Sequence, residues 1–304
     1  PPAGIARLCG ALSHHGIKHT VLDANLEGLL SLLRTPLASS DTWTSRASRP
    51  LSRHLASLKR WDAFRQEDRY RRAIKDLNRV LEVTTRSRRI RLGLANYEHE
   101  ELSPARSSDL VRAAENPEDN PFYPYFKNRL TELLESEQPP MIGFSLNYLS
   151  QALCTFAMIG FLRRECPEVK LVLGGGLVTS WMRSPEWRDP FKGLVDHLVA
   201  GPGETPLLSL TGQKDFIGQN HYRPNYDSLP FRDYFAPGPI LPYSASSGCY
   251  WNRCSFCPER AEGNPYVAIP AEQVILDLNS LVHRHKPVLI HLLGSAIPPS
   301  LMEA

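Results

Sequence analysis

Three of the six cysteines in the chain, Cys249, Cys254 and Cys257, fall within nine residues in the stretch GCYWNRCSFC (248–257). Thiolates are soft ligands, and the spacing Cys-x4-Cys-x2-Cys can bring all three to one inorganic centre. A closed structural zinc site takes four protein ligands. No fourth cysteine stands within reach, and the histidines are badly spaced: His221 lies well upstream, and His283 and His285 lie beyond a predicted helix. A four-iron four-sulfur cluster held by three thiolates, with one iron left open, suits the count. A zinc knuckle completed by a histidine stays as the alternative. A disulfide framework fits poorly, because six cysteines in 304 residues are sparse for a secreted scaffold. Cys9, Cys154 and Cys166 stand in apolar or helical contexts and read as ordinary buried thiols.

The flanking pattern says what must position this loop. Residues 242–247 read as a strand that runs straight into Cys249. A helix over Ala271–His283 carries Val274, Ile275, Leu278 and Leu281 on one face, and Val288–Leu293 reads as the next strand. Upstream, Met141–Leu146, Val169–Leu173 and Leu194–Ala200 read as strands, with an apolar helix over Ser150–Cys166. Strand–helix–strand alternation with short links predicts a parallel sheet. Ligands of such sheets bind beyond the carboxyl ends of the strands. Three segments meet there: Ser145 with Asn147, then Gly174, Gly175 and Gly176, then Gly201 to Glu204 with Gly203 between. Neither GGGLVTS nor GPGETP is a phosphate loop or a dinucleotide fingerprint, so purely structural glycines remain an open reading.

At GCYWNRCSFC the chain resembles the radical S-adenosylmethionine family. The resemblance implies a cysteine loop after the first strand of a partial (β/α) barrel, with S-adenosylmethionine on the open iron. It implies that Phe256, just before the third cysteine, packs near the adenine, and that Ser295, with Gly294 at the end of the second barrel strand, lies beside the cofactor. The family usually has three residues between its first two cysteines, whereas four stand here, Tyr250 to Arg253. PPAGIARLCGALSHHGIKHTVLDAN resembles the opening of the cobalamin-binding domain that precedes the barrel in many members, with a short strand over His19–Leu22. That likeness assigns Ser145, Asn147, Gly174, Gly175, Gly176, Gly201, Gly203 and Glu204 to cobalamin. The Asp-x-His-x-x-Gly motif that supplies a histidine to cobalt elsewhere is absent. The implied chemistry is reductive cleavage of S-adenosylmethionine to a deoxyadenosyl radical, fed by a reductant such as flavodoxin or ferredoxin. With cobalamin present, methyl transfer to an unreactive centre leads. The same radical core with an empty front domain, or a zinc-stabilised module for an anionic partner, are the other readings.

The expected architecture is α/β: a Rossmann- or flavodoxin-like front domain over 1–211, a linker over 212–241, and the start of a radical S-adenosylmethionine barrel over 242–304. A mostly helical insertion, 35–138, interrupts the front domain: loop over 35–53, a helical pattern over Leu55–Val83 with a break near Trp61, a Pro-rich loop over Asn116–Pro124, and a helix over Tyr125–Glu137. Ile74, Leu77, Val80 and Leu81 should face inward. An apolar fraction of 42% suffices for real cores, and a net charge of +3 gives no ground for a nucleic-acid partner. No run approaches the ~18 apolar residues of a membrane span. Clustered thiols and no export signal place the expected compartment in the cytoplasm. The chain opens at Pro1 without Met and stops after KPVLIHLL, so cuts through a larger protein are expected at both ends, and about two barrel strands are present.

Overall fold

The computed structural model describes residues 1–36, 42–213, 221–294 and 301. The chain begins with helices α1 (Ala3–His14) and α2 (Ala24–Arg34). Gly16 follows α1 in the left-handed region (φ +65°), where glycine alone is unstrained. The strand expected over His19–Leu22 does not form. Val21 packs on one core and Leu22 on another, and the segment ends in Asp23, whose carboxylate caps α2 by accepting from the Leu26 N–H at 3.0 Å.

The insertion is helical, and more so than its composition suggests. Helices α3 (Thr42–Ser48) and α4 (Leu51–Ser57) occupy much of the stretch expected as loop, because Thr44, Ala47 and His54 find buried places beside later elements. A break precedes α5 (Trp61–Phe64), and α6 (Glu67–Thr85) follows. Ala73, Leu77, Val80 and Leu81 form its buried stripe, with Ile74 partly covered. His54 Nε2 lies 2.8 Å from Asp76 Oδ2, which ties α4 to α6 inside the core. An antiparallel hairpin, β1 (Ile90–Leu92) with β2 (Tyr97–His99), and helix α7 (Ser107–Glu115) come next. The Pro-rich stretch forms a short 3-10 turn over Pro117–Asp119 and runs into α8 (Tyr123–Glu137).

The front sheet is parallel, in the order β3 (Met141–Ser145), β4 (Lys170–Gly174), β5 (His197–Leu198). Between β3 and β4 runs α9 (Leu149–Glu165), apolar on nearly every side because the sheet and the insertion both cover it. One core joins α9, the sheet and the insertion. The expected strand over 194–200 is cut to two residues, since Leu194 and Val195 turn into a bend after Phe191. Helix α10 (Gly176–Met182) follows β4, and α11 (Glu204–Leu210) follows β5.

The second unit opens with β6 (Ile240–Ser244) and β7 (Ser246–Ser247). After the cysteine loop come α12 (Pro258–Glu262), β8 (Val267–Ala268), α13 (Ala271–His285) and β9 (Leu289–Leu293). Strands β6 and β9 pair in parallel across α13, the expected strand–helix–strand unit. Its core holds Leu241, Tyr243, Val274 and Leu281 together with Ala6 of α1 and Tyr226 and Leu229 of the strap before β6. That strap is pinned: the Asn225 N–H donates to Ala6 O at 2.8 Å, Tyr234 OH donates to Asp23 Oδ2 at 2.7 Å, and Tyr226 OH donates to Pro242 O. Among the described residues no helix is long and apolar enough to cross a membrane.

Gly160 shows how tightly α7 and α9 cross. A methyl group there would sit 1.8 Å from the Ala114 carbonyl oxygen, a backbone atom with no freedom to retreat. Gly160→Ala is expected to cost about 3 kcal/mol in a denaturant titration, since both helices must shift to admit it. Gly4→Ala, where nothing lies within 4 Å, should change stability by no more than about 0.5 kcal/mol.

Candidate functional site

The cysteine loop is closed at its base before it does anything else. Strands β7 and β8 pair antiparallel, Ser246 with Ala268 and Ser247 with Val267, so both ends of the loop are held together. Gly248 adopts φ +67° where the two arms cross. A side chain there would lie 2.5 Å from the carbonyl oxygens of both Asn264 and Pro265. Only glycine permits this crossing.

Within the loop, Cys249, Cys254 and Cys257 are free thiols, each partly exposed. The Cys257 N–H donates to Cys254 O at 3.3 Å, and Cys257 stands just before α12. Among the described residues, no three His, Cys, Asp or Glu side chains gather closely enough to hold one metal ion. The donors, three thiols on one exposed loop, match the chemistry of the cluster. Cys9 and Cys154 stand apart from this loop, and burial pushes their thiols up to about 11 and about 12, so both stay protonated at neutral pH.

The aromatic residues of the loop point outward. Phe256 is 88% exposed and covers nothing in the chain. Trp251 lies under the Arg253 guanidinium at 5.4 Å, and Tyr250 meets Tyr266 edge-on at 5.6 Å. Ser295 lies outside the described residues; Gly294, the residue before it, sits at the carboxyl end of β9, where a side chain would touch the Ser246 hydroxyl at 3.5 Å.

The front-sheet residues come together in part. Parallel register places Ser145 opposite Gly174. Asn147 bridges the two strand ends: its Nδ2 donates to Ser145 Oγ at 3.1 Å, and its Oδ1 accepts from the Gly176 N–H at 2.9 Å. Gly201 joins them, its N–H donating to Thr179 Oγ1 at 2.9 Å. Gly203 and Glu204 face elsewhere. Gly203 sits under Leu8, and the buried Glu204 carboxylate pairs with Arg7 of α1 at 2.6 Å.

The glycines here answer to the chain's own packing. At Gly175 (φ +109°) a side chain would meet Leu146 O at 2.4 Å. At Gly176 it would meet the Glu262 carboxylate at 2.6 Å, and at Gly201 the Asn264 amide oxygen at 3.3 Å. The end of α12 and Asn264 just after it therefore lie over the strand ends assigned to cobalamin. Burial, then the nearby Glu259 charge, raises the carboxyl of Glu262 above the usual carboxylate range. Asn264 Oδ1 is buried there without a hydrogen bond. Two open clefts of about 380 and 470 Å³ lie along α2 and α8, and none of the expected site residues lines them.

Sequence reasoning missed the group that locks the cysteine-bearing unit. Asp277 on α13 is 1% exposed and accepts from three directions: His221 Nε2 at 2.5 Å, Tyr243 OH at 2.9 Å and Gln273 Nε2 at 2.9 Å. It joins the strap, β6 and α13. An acidic residue within the apolar helical pattern VILDLNSLV is the one available signal.

No family model, no curated protein and no solved structure matches the chain.

Burial works against the Asp277 charge, but the hydrogen bonds from His221, Tyr243 and Gln273 outweigh it and hold the carboxyl below its usual range. A depressed folded value stabilises the protein above the unfolded pKa, about 3.9. Asp277→Asn should cost about 2–4 kcal/mol at neutral pH. In denaturant titrations run at falling pH, the gap between native and variant should narrow as the native carboxyl protonates below that value.

Proposed function

We propose that this chain acts in iron–sulfur-dependent reductive cleavage of S-adenosylmethionine, with Cys249, Cys254 and Cys257 as ligands of a four-iron four-sulfur cluster. One observation carries the reading: the three thiols share a loop that leaves the carboxyl end of β6, in a parallel β6–α13–β9 unit, and is closed at its base by β7–β8. Carboxyl ends of parallel strands are where α/β folds place their chemistry. When bound, a cluster of this class supplies one electron to the sulfonium of S-adenosylmethionine, the cleavage that generates the radical.

The chain's own residues supply position and shielding. Cys249, Cys254 and Cys257 would hold the cluster as thiolates, and with only three protein ligands it would keep a site for S-adenosylmethionine. Phe256, exposed beside the last cysteine, is free to cover the adenine. Gly294 at the end of β9 and Ser295, next in sequence, are the residues this proposal assigns to the same molecule. A reductant such as flavodoxin or ferredoxin and a cytoplasmic setting belong to this proposal.

For the front domain, the seating of Glu262 on Gly176 and of Asn264 on Gly201 favours the version in which the sheet keeps its fold without a corrin. Cobalamin at Ser145, Asn147 and Gly174 to Gly176 would have to displace the side chains of Glu262 and Asn264 first.

Anaerobic reconstitution with iron and sulfide tests the proposal. Uptake of about four irons and four sulfides per chain is expected, lost in Cys249→Ala, Cys254→Ala and Cys257→Ala and kept in Cys166→Ser. Stoichiometric zinc in place of iron would support the zinc-stabilised module instead. Cobalamin added to the same preparation should not co-elute on gel filtration.

A further inference from the structure

The junction of α5 and α6 exposes side chains that folding alone does not call for. Every residue from Phe64 to Arg72 is exposed, so the first turns of α6 stand clear of the body. Three aromatic rings meet there. Trp61 is 50% exposed, Phe64 41% and Tyr70 37%. Trp61 and Phe64 pack edge-on with centroids 6.4 Å apart, and Phe64 and Tyr70 lie 5.3 Å apart. The rings form one contiguous knob. Contiguous exposed aromatic surface of this kind marks interaction sites.

The charge around the knob is lopsided. The run from Arg60 to Arg72 that carries it holds 5 Arg against 3 Asp and Glu. Arg60 pairs with Asp62 at 2.9 Å and Arg71 with Glu67 at 2.6 Å. Arg65 and Arg69, in the same exposed run, have no carboxylate partner among the described residues. Aromatic residues and arginine are the side chains that dominate protein-interface energetics. A single-stranded nucleic acid suits the patch less well. Stacking bases need separated ring faces, whereas these rings are spent on one another.

We infer that Trp61, Phe64 and Tyr70, flanked by Arg65 and Arg69, form a docking surface for an acidic amphipathic segment of a partner protein. Apolar side chains of the partner cover the rings, and its carboxylates meet the two free guanidinium groups. This surface is independent of the cysteine loop, and its test does not depend on the outcome of cluster reconstitution.

The test uses fluorescence anisotropy of the full chain with three labelled probes. These are an amphipathic helical peptide with a leucine seam flanked by glutamates, the same peptide with lysines for the glutamates, and an oligothymidine. The acidic peptide should bind best, and more weakly as salt rises. Trp61→Ala/Phe64→Ala and Arg65→Glu/Arg69→Glu should each weaken it by about tenfold or more. All of these positions are exposed, and far-ultraviolet circular dichroism checks that the variants fold. Should the aromatic variant unfold, the charge-reversal variant decides alone. Tighter binding of the lysine peptide or of oligothymidine, no binding of the acidic peptide, or equal binding by the charge-reversal variant overturns the inference.

Discussion

Everything proposed for the cysteines depends on the backbone crossing at Gly248. A loop that carries three metal ligands pays an entropic penalty each time its ends are brought together. Here β7 and β8 hold those ends permanently, and the crossing is so close that the carbonyls of Asn264 and Pro265 occupy the space a side chain would need. The loop is thus an appendage of β6 with a fixed mouth. Its interior has no helix or strand between Cys249 and Cys257, and it is there that the proposed cluster would sit.

The second constraint is Asp277. A buried carboxylate is tolerated only when its acceptor sites are filled, and three donors from three elements fill them. Through it the strap, β6 and α13 behave as one piece, and α1 joins them through Ala6 and Asn225. Within the stretch expected to be a linker, Tyr226, Leu229 and Phe231 are built into the second core. The end of α12 and Asn264 just after it lie on the front sheet, with Glu262 against Gly176 and Asn264 against Gly201.

Much of this was legible in the sequence, and the rest failed for physical reasons. The strands over 141–145 and 170–174, the long helix between them and the β6–α13–β9 unit follow from apolar runs whose length and punctuation leave little choice. The segment over His19–Leu22 looked like a strand because Val21 and Leu22 are β-formers, but a strand exists only with a partner, and here the two side chains go to different cores. Helices α3 and α4 hide in a Ser-, Thr- and Arg-rich stretch because tertiary burial of Thr44, Ala47 and His54 overrides weak propensity. The glycines at 175, 176 and 201 were visible as a cluster. Their purpose was not, since sequence cannot separate a glycine that admits a ligand from one that admits the chain's own Leu146 or Glu262. Asp277 escaped notice because nothing local reveals that His221 and Tyr243 arrive beside it.

The most direct measurement is electron paramagnetic resonance of the reconstituted, reduced chain before and after adding S-adenosylmethionine. A signal of a reduced four-iron cluster whose g-values shift on addition is the predicted result, because three thiolates leave one iron open to the added molecule. An iron-loaded chain whose spectrum is indifferent to S-adenosylmethionine, or a chain that takes up no iron under these conditions, would contradict the account.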